Sequence, residues 1–149
     1  MIDLDNQTTL RVSIEALEDI ASTLSTKDVE LVICTNDTIQ TLNQEHRGKN
    51  TSTDVLSFPL EAPFTEQSDF EMSSGMPLGS IVISASFVEQ KADELGHSNQ
   101  DELSLLFIHG MLHLLGFDHE VDDGEMRSKE EELIRAFDLP KSLIVRTGG

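Results

Sequence analysis

His109-Gly110-Met111-Leu112-His113-Leu114-Leu115-Gly116-Phe117-Asp118-His119 holds three of the chain's five histidines. On a helix, His109 and His113 project from one face, a turn apart. Gly116 can end that helix in the left-handed conformation that glycine adopts without a Cβ penalty. The chain can then turn back and carry His119 toward the other two. Three neutral imidazoles with a fourth position open describe a catalytic zinc site, since a structural one would be closed by four protein ligands. A bare H-x-x-x-H has a plainer reading, two histidines sharing a helix face. The third histidine, the glycine break and the apolar surroundings favour the metal. Neutral ligands leave most of the cation's charge uncancelled, which suits an anionic substrate.

Working outward, Ser98 and Asp101 form a capping box that opens the histidine helix. It runs through Leu103, Leu106, Phe107 and Ile108 and is apolar nearly all round, so it is expected to be central and buried. Gly110 in its interior costs about 1 kcal/mol relative to Ala, which implies close packing at that point. Downstream, Asp122 is placed to cap a last helix with inner face Met126, Leu133, Ile134 and Phe137, ended by Pro140. The acids Glu120, Asp122, Asp123 and Glu125 suit the positive end of that helix better than they suit a metal.

Upstream, residues 2–8 read as an edge strand, and 13–24 as an amphipathic helix on Ile14, Leu17, Ile20, Ala21 and Leu24. Val29–Cys34 is a β-branched strand, followed by a helix capped by Thr35 or Asn36, with Ile39, Leu42 and His46 on one face. His46 on that face reads as a packing histidine. Arg47-Gly48-Lys49-Asn50 reads as a tight basic turn. Residues 53–60 form a strand that Pro59 ends or places at an edge. Residues 61–78 form a long acidic loop, either a functional flap or a surface insertion. Gly79–Ser84 is a fourth strand, and Ser86 with Glu89 is placed to cap a helix that stops at Gly96, leaving His97 at the helix end or surface. The expected architecture is α+β: a small mixed four-stranded sheet covered by about five helices, the central one carrying the histidines.

Length and charge set the outer bounds. The 149 residues suit one domain, residues 1–149, and no repeat or linker divides them. No apolar run approaches the roughly 20 residues of a membrane span, and the acidic N-terminus lacks a signal-like pattern. The lone Cys34 cannot form an intrachain disulfide and reads as strand core, so a reducing, cytoplasmic setting is expected. The formal net charge of −18 repels bulk nucleic acid, whose affinity normally rests on Lys and Arg.

The chemistry narrows further. A three-histidine metal leaves room for a water and lowers its pKa, so hydrolysis is the default reaction class. In H-E-x-x-H peptidases a Glu follows the first His as general base, and here that position is Gly110, which counts against a protease. Asp118 either orients an imidazole or accepts a proton from the water, or else caps the turn. A phosphodiester asks less for a base than for positive charge near its oxygens. Arg47 has the planar fork for that, with Lys49 close by, although an isolated Arg in a turn is also an ordinary solvated residue.

The stretch His109 to His119 resembles the H-G-x-x-H-L-x-G-[YF]-D-H signature of the YbeY family of ribosomal RNA maturation endoribonucleases. Leu42 to Lys49 followed by Thr53-Asp54-Val55-Leu56-Ser57-Phe58-Pro59 resembles a second block of that family, and Gly79 to Ser84 a third. Phe117 stands where Tyr is common and leaves the ligands untouched. The resemblance covers about residues 28 to 138. It implies a zinc-dependent, single-strand-specific endoribonuclease of the cytoplasm, acting in small-subunit ribosomal RNA 3′-end maturation and ribosome quality control. It further implies one zinc ion (or another divalent metal) on His109, His113 and His119, with Arg47 as the catalytic residue serving the phosphate. The implied partners are single-stranded and ribosomal RNA and ribosome-associated proteins, without DNA or membrane. Two other classes remain open from the residues: a zinc hydrolase of another substrate, peptidase or amidase, and a non-enzymatic ribosome-assembly factor stabilised by metal.

Overall fold

The computed structural model describes residues 2–48, 55–59, 78–117 and 124–139, except the side chains of His46, Arg47 and Pro59. Four strands, β1 (Ile2–Asn6), β2 (Val29–Cys34), β3 (Val55–Pro59) and β4 (Gly79–Ser84), form one sheet in the order β1-β2-β4-β3. β1, β2 and β4 run parallel, and β3 runs antiparallel to β4 at the opposite edge. Five helices accompany them among the described residues: α1 (Ile14–Leu24), α2 (Asn36–Arg47), α3 (Ala85–Leu95), α4 (Asn99–Leu114) and α5 (Glu125–Phe137). This is the mixed α+β arrangement expected from the sequence.

The near-continuous apolar character of β2 and β4 has a direct cause. Both are inner strands covered on two faces, so neither alternates with polar residues as a half-exposed strand would. Leu31, Ile33, Ile81 and Ile83 face a core filled by α1, α3, α4 and α5. Cys34, Val82 and Leu56 face the other way, packed with Ile39 of α2. At the β1 edge Asp3 and Asp5 are exposed, and such charges discourage pairing with another strand. β3 ends at Pro59, as the missing N–H of proline dictates, and supplies the other edge.

Capping differs from expectation at two helices. Ser84, rather than Ser86, caps α3: its hydroxyl accepts from the Phe87 N–H and also bonds the Asn36 side chain at the start of α2. The last residue of β4 thus joins two helix starts, a tertiary arrangement that a local capping box does not reveal. α5 starts at Glu125 with a left-handed Gly124 at its N-cap, so Asp122, outside the described residues, is not the capping position. Thr35 caps α2 and Ser98 caps α4, the latter accepting from Asp101 N at 3.0 Å. The loop expected over 61–78 lies outside the described residues except for Leu78, whose N–H bonds Asp28 O at 2.6 Å.

α4 is the central element, packed against β3, β4, α1, α3 and α5. Leu103, Leu106, Phe107, Ile108, Met111 and Leu112 on it are essentially inaccessible. At roughly 1.5–3 kcal/mol per buried side chain, these residues contribute on the order of 10 kcal/mol of gross burial energy. Between Glu102 and Leu114 only His109 and His113 reach solvent. A helix held on every other side thus presents two imidazoles to the surface.

Candidate metal centre

The local sequence explains why the two rings meet. Four residues apart on α4, their centroids lie 4.7 Å apart with an interplanar angle of 76°. The Nε2 atoms are 3.1 Å apart. The helix then stops abruptly. Gly116 adopts φ 99, its N–H bonds His113 O, and Phe117 N–H reaches back to Leu112 O at 2.9 Å. This paired return of N–H groups around a left-handed glycine is a Schellman ending. It directs the chain away from the helix axis one turn past His113, as anticipated. The negative end of the α4 dipole therefore lies beside His113, which favours a cation there.

The second nitrogen of His109 is held from another element. Nδ1 lies 2.8 Å from Oε2 of Glu130, a carboxylate only 1% exposed on α5. Glu130 escaped the reading of the sequence. Its signal was an acid at the fourth position after Met126 and three before Leu133, within the buried stripe of an amphipathic helix. On the other side, the Ser57 hydroxyl of β3 donates to the Gly110 carbonyl at 3.4 Å, tying the edge strand to the histidine turn.

Gly110 explains the close approach of helix and sheet. A Cβ added there would meet Ile81 Cγ2 at 2.9 Å, with two more Ile81 carbons within 3.2 Å. Position 110 faces β4. A carboxylate at this position would enter the core instead of standing beside the imidazoles.

The donor chemistry fits a divalent metal such as zinc. With Zn–N bonds of about 2.0–2.1 Å and tetrahedral angles, two ligand nitrogens lie about 3.3 Å apart, close to the observed separation of His109 and His113. Two further expected residues, Asp118 and His119, lie outside the described residues, and no group of three or more ligating side chains occurs among those described. Arg47 is the last residue of α2, followed by Gly48 at φ 72, so it belongs to a helix end rather than to the turn expected for it. Its side chain lies outside the described residues.

The remaining cysteine and histidine of interest belong elsewhere. Cys34 is fully buried in β2, and burial pushes its thiol pKa up. His97 follows α3 as expected but is no surface residue: its Nε2 lies 2.8 Å from Oε1 of Glu102, a carboxylate 1% exposed at the start of α4.

Comparison with known proteins agrees with this architecture. The family model described as Endoribonuclease YbeY matches residues 2–138. The chain belongs to this family. Relatives include the Endoribonuclease YbeY of Sulfurovum sp. (strain NBC37-1), 62% identical over 98% of this chain and 97% of that protein. The Endoribonuclease YbeY of Aliarcobacter butzleri is 56% identical over 98% of this chain and 99% of its own. Among solved structures, the solution structure of TM1509 from Thermotoga maritima superposes with a TM-score of 0.58 at 28% identity. That match covers 92% of this chain and 89% of the other, so the two share a fold over nearly all of both.

Proposed function

We propose that this member of the family works with one divalent cation, zinc, held by His109, His113 and His119, while Arg47 holds the scissile phosphate. Membership in the family makes the chain an endoribonuclease, a hydrolase that cleaves RNA phosphodiester bonds. The observation that carries the metal reading is the pair of Nε2 atoms 3.1 Å apart on an otherwise buried helix.

When bound, the cation supplies Lewis-acid charge for the phosphoryl oxygens and makes hydroxide available near neutral pH. The chain's own residues do the rest. α4 holds the two rings rigidly, because every neighbouring position along it is packed. The guanidinium of Arg47 matches two phosphate oxygens with two parallel N–H donors. Asp118, next to His119, fixes an imidazole or takes up the proton released at the attacking water.

The biological setting we assign is single-stranded RNA, with ribosomal RNA processed at the small-subunit 3′ end and monitored in ribosome quality control, in the cytoplasm. The three sequence blocks support it. No helix of the described residues is long and apolar enough to cross a membrane. With a net charge of −18, a cleft made positive by the cation, Arg47 and Lys49 would hold RNA locally. Ribosome-associated proteins would then supply much of the remaining affinity. A peptidase of the H-E-x-x-H kind is disfavoured, since position 110 abuts Ile81.

The test is cleavage of a labelled single-stranded RNA by zinc-loaded protein, beside Arg47→Ala and His113→Ala. Cutting by wild type that a chelator stops and both variants lack is the expected result. Equal cutting by all three would mark the activity as a contaminant. Zinc uptake without cutting would point to a structural metal or to a required ribosomal partner.

A further inference from the structure

Two carboxylates, Glu102 and Glu130, are each 1% exposed, and each contacts a histidine. Glu102 meets His97 at the start of α4, far along the helix from His109. Glu130 meets the nitrogen of His109 opposite to the one that faces His113.

We infer that Glu130 is a positioning residue of the metal centre: by accepting the Nδ1–H of His109, it fixes the tautomer whose Nε2 lone pair faces the cation. The inference rests on the metal-centre reading for its ligand. An ionised carboxylate has acceptors and no donor, and burying one is costly unless a donor meets it. The 2.8 Å contact satisfies both groups when Nδ1 carries the proton. A neutral imidazole has one N–H, so Nε2 is left with its lone pair. Sharing the Nδ1 proton with a carboxylate also makes Nε2 the stronger donor to a metal.

The fold supports this assignment independently of the ring. Glu130 occupies the buried stripe of α5 between Met126 (0% exposed) and Leu133 (3%), where an apolar residue would serve the core better. α5 thus reaches the centre through one acid and holds it by packing on both sides.

The experiment compares wild type with Glu130→Gln and Glu130→Leu. Imidazole nitrogen NMR on metal-free protein, followed across a pH series, reads the tautomer of neutral His109. Wild type should show Nδ1 protonated and Nε2 bare. Gln, which can present either its oxygen or its NH2, should give a mixture, and Leu should lose the preference. Zinc affinity, read by competition with a chromogenic chelator, should fall roughly 10–100-fold in both variants. Glu130→Leu removes one partner of a buried pair and should unfold below wild type, whereas the side-chain oxygen of Glu130→Gln can still accept from Nδ1–H and should keep most of the stability. A loss of zinc affinity in Glu130→Gln without a matching loss of stability is a split that a purely structural role for Glu130 would not give. Glu102→Gln should leave zinc affinity unchanged. Wild-type affinity in both Glu130 variants, or Nε2 protonated in wild type, would overturn the inference. A wild-type protein that takes up no zinc would instead overturn the metal-centre reading, and the role of Glu130 with it.

Discussion

Gly110 lets α4 lie directly on Ile81 of β4, with only 2.9 Å between the place of a missing Cβ and the Ile81 Cγ2. Ile81 is fully buried and branched at Cβ, so it has little room to yield. Overpacking of this kind costs about 1–3 kcal/mol, against roughly 1 kcal/mol gained in helix propensity. Gly110→Ala should therefore lose up to about 2 kcal/mol in denaturant unfolding. Gly110→Glu, which recreates a peptidase-like motif, should fail to fold. A stable Gly110→Glu protein would show that the position opens toward the imidazoles.

Cation binding at His109 and His113 should appear as added stability. Free zinc at 100 times its dissociation constant stabilises by about 2.7 kcal/mol. For a chain of this size that raises the unfolding midpoint by roughly 5–10 °C. His113→Ala should abolish the shift, and calorimetry with and without chelator reads it.

Burial holds the Cys34 thiol above its ordinary value of 9.0. As pH rises the unfolded chain therefore loses its thiol proton first. The contribution of the buried thiol is full below about pH 9 and is lost as pH climbs through the higher folded value. Between about pH 8 and about pH 10 the unfolding midpoint should thus fall further in wild type than in Cys34→Val. Alkylation of the native protein should be slow until denaturant is added. Rapid native alkylation would contradict the burial.

His97→Ala removes one partner of the buried Glu102 carboxylate. Hydrogen bonds to charged groups are worth about 1.5–3 kcal/mol, and a loss of that size is expected in thermal or urea unfolding. Zinc affinity should not change, because the pair sits at the opposite end of α4 from the imidazoles.

The acidic surface makes a prediction about salt. If Arg47 and Lys49 are the main phosphate contacts, about two charges are neutralised on a single strand. The slope of log affinity against log salt should then be only about −1.4. Binding of short RNA by the isolated protein, measured across a salt series, reads it. A much steeper slope would mean that more basic residues take part.

Much of this molecule is legible along the chain because the forces concerned are local. The spacing of His109 and His113, the Ser98 cap and the left-handed Gly116 each depend on a few neighbouring residues, and each is found where the sequence places it. The uninterrupted apolar runs of β2, β4 and α4 announce burial on all sides. Cys34, read as strand core, is buried there.

Other features depend on partners distant in sequence. Ser84 displaces Ser86 as the α3 cap because β4 delivers it to both Phe87 and Asn36. His97 looks like a surface residue until the turn between α3 and α4 sets it against Glu102. Glu130 resembles any acid of an exposed helix until α5 docks on α4, 21 positions beyond His109. The identity of the candidate ligands was thus written in local periodicity, where helix geometry alone aligns two rings. Which carboxylate meets the far nitrogen of His109 was decided by packing, because only the folded core brings α5 against α4.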